Sequence, residues 1–145
     1  MTDLLLGKKS GIDTSISLPA HPSSVSAGRR FVRESLRAWG ASEFLDSAEL
    51  VASELITNAV LHALSAPVVR LQLENARLRI EVSDTSRVGP VQKFYGTQAG
   101  TGRGILLVDE LSESWGSDVR DDGKTVWCVF ASQSVQGPNS SRATG

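Results

Sequence analysis

The chain has 145 residues, enough for one domain with a hydrophobic core and too few for two ordinary domains. Its 15 lysine and arginine residues nearly balance its 16 aspartate and glutamate residues, and the formal net charge of −1 argues against a dedicated nucleic-acid-binding protein. Apolar residues make up 40 % of the chain, with no run near the roughly 20 that span a bilayer. The one cysteine, Cys128, excludes an internal disulfide and a cysteine-rich zinc site. We therefore expect one soluble, cytoplasmic domain.

The N-terminal half of the chain predicts one strand and two helices. Residues 1–13 lack useful periodicity and are predicted to form an extension outside the domain. Residues 15–18 alternate polar and apolar side chains, which predicts a short strand that Pro19 ends. Apolar residues at helical spacing predict a first helix that begins at Ser23 or Ser24 and ends at Gly40. A second helix is predicted to begin between residues 42 and 46 and to end near residue 64.

The C-terminal half predicts two hairpins separated by a long loop. Residues 69–73 and 78–82 alternate in polarity and predict the first hairpin, and residues 113–119 and 124–131 predict the second. Between them we predict a loop over residues 84–103, of a length that is usually functional, and a short helix over 104–111. Residues 132–145 are predicted to be a disordered tail. The domain, residues 14–131, is thus predicted to be α+β, a two-layer sandwich of a mostly antiparallel mixed sheet with helices on one face.

The second predicted helix carries a polar ridge beside its apolar stripe. Glu54, Asn58 and His62 recur every four residues, so they lie along one margin of the face that is predicted to pack on the sheet. That margin borders the groove between the helix and whatever covers it. The alternative is that these side chains are ordinary solvated or hydrogen-bonded helix residues. Leu50 and Leu61 fall on the outer face, where they either pack under the first helix or contact a partner.

Three further features are weak signals when each is taken alone. Asp84 ends a predicted strand, where it either accepts hydrogen bonds from an exocyclic amine or starts an Asx turn. Gly100, Gly102 and Gly104 precede a predicted helix, an arrangement that lets backbone N–H groups approach an anion. The sequence Gly123-Lys124-Thr125 opens the last predicted strand, where a plain hairpin turn explains it equally well.

Taken in order, these features resemble the GHKL ATPase superfamily. The chain has an E-L-x-T-N-A helix at residues 54–59, a strand that ends in Asp84, a glycine-rich loop before a helix, and a late G-K-T strand. Within the superfamily it is similar to the anti-sigma-factor serine/threonine kinases, and the resemblance covers about residues 14–131. The L-P-A-x-P-x-S-V sequence at residues 18–25 and the G-R-G-I-L-L-V-D sequence at 102–109 belong to the same pattern.

The resemblance implies a site for ATP and Mg²⁺. Asn58 matches the family's asparagine ligand of Mg²⁺, and Glu54 matches the glutamate that is proposed to activate the attacking hydroxyl or water. Asp84 matches the aspartate that binds the adenine amino group, and His62 is expected to pack within its helix. The same match assigns the remaining nucleotide contacts, made by the lid and by the last strand, to Thr101, Gly102, Arg103, Gly104 and Thr125.

The resemblance also implies a function and partners. It implies a protein kinase that transfers the γ-phosphoryl group of ATP to a serine of an anti-sigma-factor antagonist. The same protein would sequester a sigma factor through another face. A homodimer is compatible with the family and with the outer leucines, whereas direct contact with nucleic acid or with a membrane is not expected.

One departure from the family pattern bears on this function. The family's D-x-G-x-G sequence is replaced by one in which Ser86 and Val88 stand in place of both glycines. Glycine at such positions permits positive φ and a close approach of the backbone to the nucleotide. A second hypothesis is therefore a partner-binding regulator without catalysis and with a degraded nucleotide site. A third, one half of a split histidine kinase, is disfavoured because the chain has no dimerising phospho-acceptor helix.

Overall fold

A computed structural model describes residues 11–62, 64–85 and 108–132, and these residues form two helices and a five-stranded sheet. The element order matches the predicted one, and a helical turn at residues 108–111 falls within the predicted short helix. The elements are β1 (Ile12–Ser17), α1 (Ser23–Ala38), a 3₁₀ turn (Ser42–Phe44), α2 (Leu45–Thr57), a π-helical turn (Asn58–His62), β2 (Val68–Glu74), β3 (Arg77–Asp84), β4 (Ser114–Arg120) and β5 (Gly123–Ala131).

The strands form one sheet in the order β1-β2-β3-β5-β4, and each described pair is antiparallel. β2 and β3 are joined by Asn75 and Ala76, which both have positive φ. A two-residue hairpin turn of type I′ requires this conformation at both central residues. The predicted α+β class is confirmed, and the sheet is fully antiparallel in the described strands rather than mixed. β1 begins at Ile12, before the predicted domain boundary, because residues 12–17 pair continuously with β2.

The core lies between one face of the sheet and the two helices. Strand alternation turns Leu78, Ile80 and Val82 of β3 inward, and the same holds for Val126, Cys128 and Phe130 of β5. These side chains join a single apolar cluster with the inner faces of α1 and α2. Burying one such side chain stabilises the fold by about 1.5–3 kcal/mol. The helices are thereby fixed against one face of the sheet.

The two helices pack closely at Gly28 of α1. A Cβ atom built on Gly28 would lie 2.2 Å from Cδ1 of Ile56 in α2, so the absence of a side chain is what permits this approach. Beside the contact, the Arg33 guanidinium of α1 donates two hydrogen bonds to the Glu49 carboxylate of α2. The contact fixes α2, which carries the predicted site residues, relative to α1.

The second helix changes geometry where the sequence predicts it to continue. The α-helix ends at Thr57, and residues 58–62 form a π-helical turn, which is wider than an α-turn and common at functional sites. Leu64 then adopts a left-handed conformation with φ of 51°, and its neighbour Ser65 donates its N–H to the carbonyl of Ala59. The chain therefore leaves the helix about two residues before the predicted end.

Among the described residues, no helix combines the length and the apolar character that a bilayer crossing requires.

Candidate functional site

Asn58 lies at the junction between α2 and the π-helical turn. Its Nδ2 group donates a hydrogen bond of 3.0 Å to the backbone carbonyl of Glu54, one turn earlier. The neighbouring Leu55 and Ile56 are buried in the core and hold this end of α2 against the sheet. Glu54 is half-buried, on the margin of the buried face. The structure thus brings Glu54 and Asn58 together at one end of the helix, as their spacing predicts.

The Asn58 side chain leaves one atom unpaired among the described residues. The residue is 9 % exposed, and its Oδ1 is the buried side-chain oxygen for which the described part of the chain provides no hydrogen-bond partner. Buried polar atoms are normally paired, so an unpaired amide oxygen at a helix end is a candidate ligand for something that binds there. An amide oxygen is a hard donor of the kind that Mg²⁺ accepts.

The donor set fits a magnesium ion that is shared with phosphate groups. The described residues contain no group of three or more His, Cys, Asp or Glu side chains that could hold a metal ion unaided. Mg²⁺ retains waters readily and commonly takes one or two protein ligands together with substrate phosphates. Asn58 Oδ1 therefore suits a phosphate-shared ion and does not suit a structural metal held by protein alone.

A hydrogen-bonded link joins the end of the helix to the end of β3. Ser65, whose N–H bonds to Ala59, also accepts the backbone N–H of Thr85 through its hydroxyl at 2.9 Å. The hydroxyls of Ser65 and Thr85 lie 3.0 Å apart. Since Thr85 directly follows Asp84, Ser65 ties together the two chain segments that carry the predicted site residues Asn58 and Asp84.

Asp84 forms a buried ion pair with Lys124. Nζ of Lys124 lies 2.8 Å from Oδ2 of Asp84, and the two side chains are 5 % and 3 % exposed respectively. The residues stand directly opposite each other in the ladder between β3 and β5. An ammonium group that is buried against a carboxylate provides a strong, charge-assisted hydrogen bond. The carboxylate that the sequence predicts to receive an adenine amine therefore already has a cationic donor from its own chain.

The backbone of β5 approaches Asp84 closely at Gly123. A Cβ atom at Gly123 would lie 2.0 Å from the carbonyl oxygen of Asp84, and the glycine has a φ of 151°. Only glycine fits at this position because both the space and the conformation exclude a side chain. Gly123 thereby lets Lys124 begin β5 directly beside Asp84.

Thr125 lies on the opposite face of the sheet from Asp84. Its hydroxyl is 2.8 Å from that of Ser83, its partner in the ladder, and accepts a hydrogen bond of 2.9 Å from the Arg120 guanidinium. Further along this outer face, the Arg79 guanidinium lies over the Trp127 ring, 4.6 Å from the ring centroid. Trp127 also lies so close to Gly116 that no side chain fits there. The structure therefore does not bring Thr125 together with Asp84.

The sequence does not predict Lys124 as the partner of Asp84, although strand alternation contains the signal. Val126, Cys128 and Phe130 alternate inward, so counting back by two places Lys124 inward as well and Thr125 outward. The same count from Leu78, Ile80 and Val82 places Asp84 inward. The register between the two strands then decides that these charged residues meet, and register is not readable from either strand alone.

Several predicted site residues lie outside the described part of the chain. The predicted lid residues fall in the undescribed segment 86–107, together with Ser86 and Val88, and the side chain of His62 is also not described. The predicted extension up to residue 10 and the tail from residue 133 lie outside as well. The predicted lid residues that lie outside the described part are Thr101, Gly102, Arg103 and Gly104.

Comparison with known proteins agrees with the fold. The sequence model of the histidine kinase-like ATPase domain matches residues 18–130. No curated protein gives a significant sequence match. Among solved structures, the chain is similar to the crystal structure of the RsbU and RsbW domains of Rv1364c from Mycobacterium tuberculosis, with a TM-score of 0.66 and 20 % sequence identity. That match covers 83 % of this chain and 32 % of the other, so this chain spans about a third of that protein's length.

Proposed function

The chain belongs to the histidine kinase-like ATPase domain family, a family whose domain implies ATP binding, and from this we propose that it is an ATP-dependent protein serine/threonine kinase of the anti-sigma-factor type. It phosphorylates a serine of an antagonist protein and sequesters a sigma factor through a separate surface. This activity belongs in the cytoplasm, where ATP and the transcription machinery are present. The observation that carries the proposal is the unpaired, buried Oδ1 of Asn58, one helical turn from Glu54.

We propose that Asn58 and Glu54 serve the phosphate end of the nucleotide. Asn58 Oδ1 would hold Mg²⁺, which, when bound, neutralises charge on the phosphate oxygens. The seryl oxygen attacks the γ-phosphorus, the bond to the bridging oxygen breaks, and ADP leaves. Glu54 takes the proton of the attacking hydroxyl. Its half-buried position on the margin of α2 supports this role because the residue lies beside Asn58 and is not enclosed in the core.

The contacts to the adenine base and the phosphate contacts of the lid complete the proposed site. Asp84, on the rigid end of β3, would accept the adenine amine. Family resemblance assigns the phosphate contacts to the lid, at Thr101, Gly102, Arg103 and Gly104, and a contact near the adenine to Thr125. The outward position of Thr125 in the structure gives that last assignment no support. Asn58, Glu54 and Asp84 are therefore the residues on which the proposal depends.

Nucleotide binding and phosphoryl transfer test the proposal separately. Thermal-shift titration with ATP and Mg²⁺ should raise the melting temperature, since a ligand at 100 times its Kd adds about 2.7 kcal/mol to the stability of the folded state. Incubation with γ-labelled ATP and purified anti-sigma-factor antagonists should then transfer label to one of them. Asn58→Ala and Glu54→Gln should each abolish transfer. Binding without transfer to any antagonist of the same genome would overturn the kinase assignment.

A second candidate function is supported by the ion pair at Asp84. If Lys124 occupies the carboxylate permanently, the domain is a partner-binding regulator that retains the fold without catalysis. The replacement of both family glycines by Ser86 and Val88 points in the same direction. Co-purification of the full chain with a sigma factor, unaffected by ATP, by Mg²⁺ and by Asn58→Ala, would favour this function over the kinase.

A further inference from the structure

The buried Lys124 is a charged group for which the proposed phosphoryl transfer has no use. Its side chain is 5 % exposed, and its ammonium lies 2.8 Å from the carboxylate of Asp84. Burying a charged amine is costly, and its partner must compensate for the lost hydration. The pair therefore has a strong preference to remain closed, with the carboxylate itself only 3 % exposed.

We infer that Lys124 sets the affinity of the site for adenine nucleotides by competing with the adenine amine for Asp84. The inference rests on the proposed function, in which Asp84 receives the base. Because the ammonium holds Oδ2 of a carboxylate that is only 3 % exposed, an adenine amine gains that oxygen only when the pair separates or the ammonium turns aside. Part of the binding free energy is then spent on opening the pair. Lys124 thus acts as an internal competitor that weakens nucleotide binding.

Because Lys124 contacts Asp84, it competes with the adenine end of the nucleotide and not with the phosphate end. The ammonium acts on Asp84 at the start of β5, whereas the proposed phosphate end is at Asn58, on the end of the helix. The penalty should therefore be the same for ATP, ADP and AMP, and it should not depend on Mg²⁺. It should also be specific for adenine, because guanine carries a carbonyl oxygen where adenine carries the amine, and that oxygen is repelled by a carboxylate.

Calorimetric titration of the full chain with nucleotides tests the inference. Lys124→Met keeps an unbranched side chain and removes the charge, and we expect ATP, ADP and AMP to bind about tenfold more tightly or better, with no gain for GTP. The double variant D84N/K124M should show no gain, because the accepting carboxylate is gone. Arg77→Met, which removes an exposed ion pair at the other end of β3, is the matched control and should leave all affinities unchanged.

The fold of each variant is checked by circular dichroism before titration. If Lys124→Met does not fold, Lys124→Gln gives a weaker form of the same test, because its neutral amide donates to Asp84 less strongly than the ammonium and yields more easily to the adenine amine. Unchanged or weaker adenine-nucleotide binding in the folded variant overturns the inference, as does an equal gain in D84N/K124M or with GTP.

The outcomes separate the inference from the function on which it rests. Tighter binding in Lys124→Met without phosphoryl transfer to any antagonist supports the inference and contradicts the kinase proposal. ATP binding and transfer by the unmodified chain, with no gain in Lys124→Met, contradicts the inference and leaves the kinase proposal standing. Binding by neither protein at millimolar ATP contradicts both.

Discussion

Asp84 and Lys124 face each other across the central ladder of the sheet, and their ion pair is enclosed on the same side as the hydrophobic core. Each residue continues the inward alternation of its strand, after Val82 on β3 and before Val126 on β5. The charged pair thus occupies the end of a column of apolar side chains. It makes the stability of the fold and the nucleotide binding that we propose depend on the same two side chains.

Removing one partner of this pair should destabilise the fold strongly. Lys124→Met leaves a buried carboxylate without its ammonium, and we expect a loss of about 3–5 kcal/mol in the free energy of unfolding. The double variant D84N/K124M removes both charges and should recover most of that loss. Urea denaturation of Lys124→Met, Asp84→Asn, the double variant and the unmodified chain measures the coupling. Additive effects would contradict the ion pair.

Asn58→Ala should separate stability from ligand binding. The substitution removes the hydrogen bond to the Glu54 carbonyl and also removes the buried oxygen that lacks a described partner. Since these effects oppose each other, we expect the free energy of unfolding to change by less than about 1 kcal/mol. The stabilisation by Mg²⁺ with ATP should be lost. Thermal-shift assays with and without ligand measure both quantities, and Thr57→Ala on the neighbouring position is a control that should retain the ligand response.

Substitutions at Gly28 and Ile56 should destabilise the fold less together than the sum of their separate effects. Gly28→Ala places a methyl group 2.2 Å from Cδ1 of Ile56, and we expect overpacking to cost about 1–3 kcal/mol. Ile56→Val removes that Cδ1 and alone costs about 0.5–1.5 kcal/mol. The double variant should lose less stability than the sum of the two, because the valine vacates the space. Denaturant midpoints of the four proteins complete the cycle, and strict additivity would show that the helices adjust instead.

Cys128 should be unreactive in the folded protein. Burial in the core raises the pKa of the thiol to about 12, so the reactive thiolate is nearly absent at neutral pH. Labelling by a thiol reagent should therefore be very slow in buffer and should reach one thiol per chain in urea. The labelling rate reports opening of the core around β5. Rapid labelling of the native protein would contradict the buried position of this strand.

Two surface ion pairs should contribute to a loss of stability in acid. The Arg70 guanidinium lowers the pKa of Asp13 from 3.8, and that of Arg77 lowers the pKa of Glu113 from 4.5. A carboxyl group with a lowered pKa in the folded state stabilises it above the unfolded pKa. That contribution disappears as the pH falls through the folded value, between about pH 5 and pH 2.

The acid effect should be small because both pairs are exposed to solvent. The double variant D13N/E113Q should show a flatter decline of its urea midpoint below about pH 5 than the unmodified chain does. The two proteins should be compared at several acidic pH values at constant ionic strength. Parallel declines would mean that other carboxyl groups account for the acid sensitivity.

The sequence predicts the elements of this fold well because their signals are local. Alternation in β2, β3 and β5 and helical spacing in α1 identify each element, and the hairpin turns between strands fix their antiparallel pairing. The four-residue spacing of Glu54 and Asn58 similarly predicts their common position, which a hydrogen bond between neighbouring turns now supports.

The parts that the sequence does not predict depend on long-range geometry. The pairing of Asp84 with Lys124 follows from the register between two strands, and the two residues are 40 positions apart in the chain. The π-helical turn at Asn58 is compatible with residues that fit an α-helix equally well, so no composition signal marks it. The assignment of Thr125 rests on a motif alone, and a motif does not say which face of a strand a side chain occupies.

The link through Ser65 has a consequence for any ligand that bridges Asn58 and Asp84. Its backbone and hydroxyl bonds connect the turn after Asn58 to Thr85, so the spacing between the two anchors is established while the chain folds. The conformational entropy of arranging them is therefore lost before a ligand arrives and does not subtract from its affinity. Ser65→Ala would transfer that entropic cost from folding to binding.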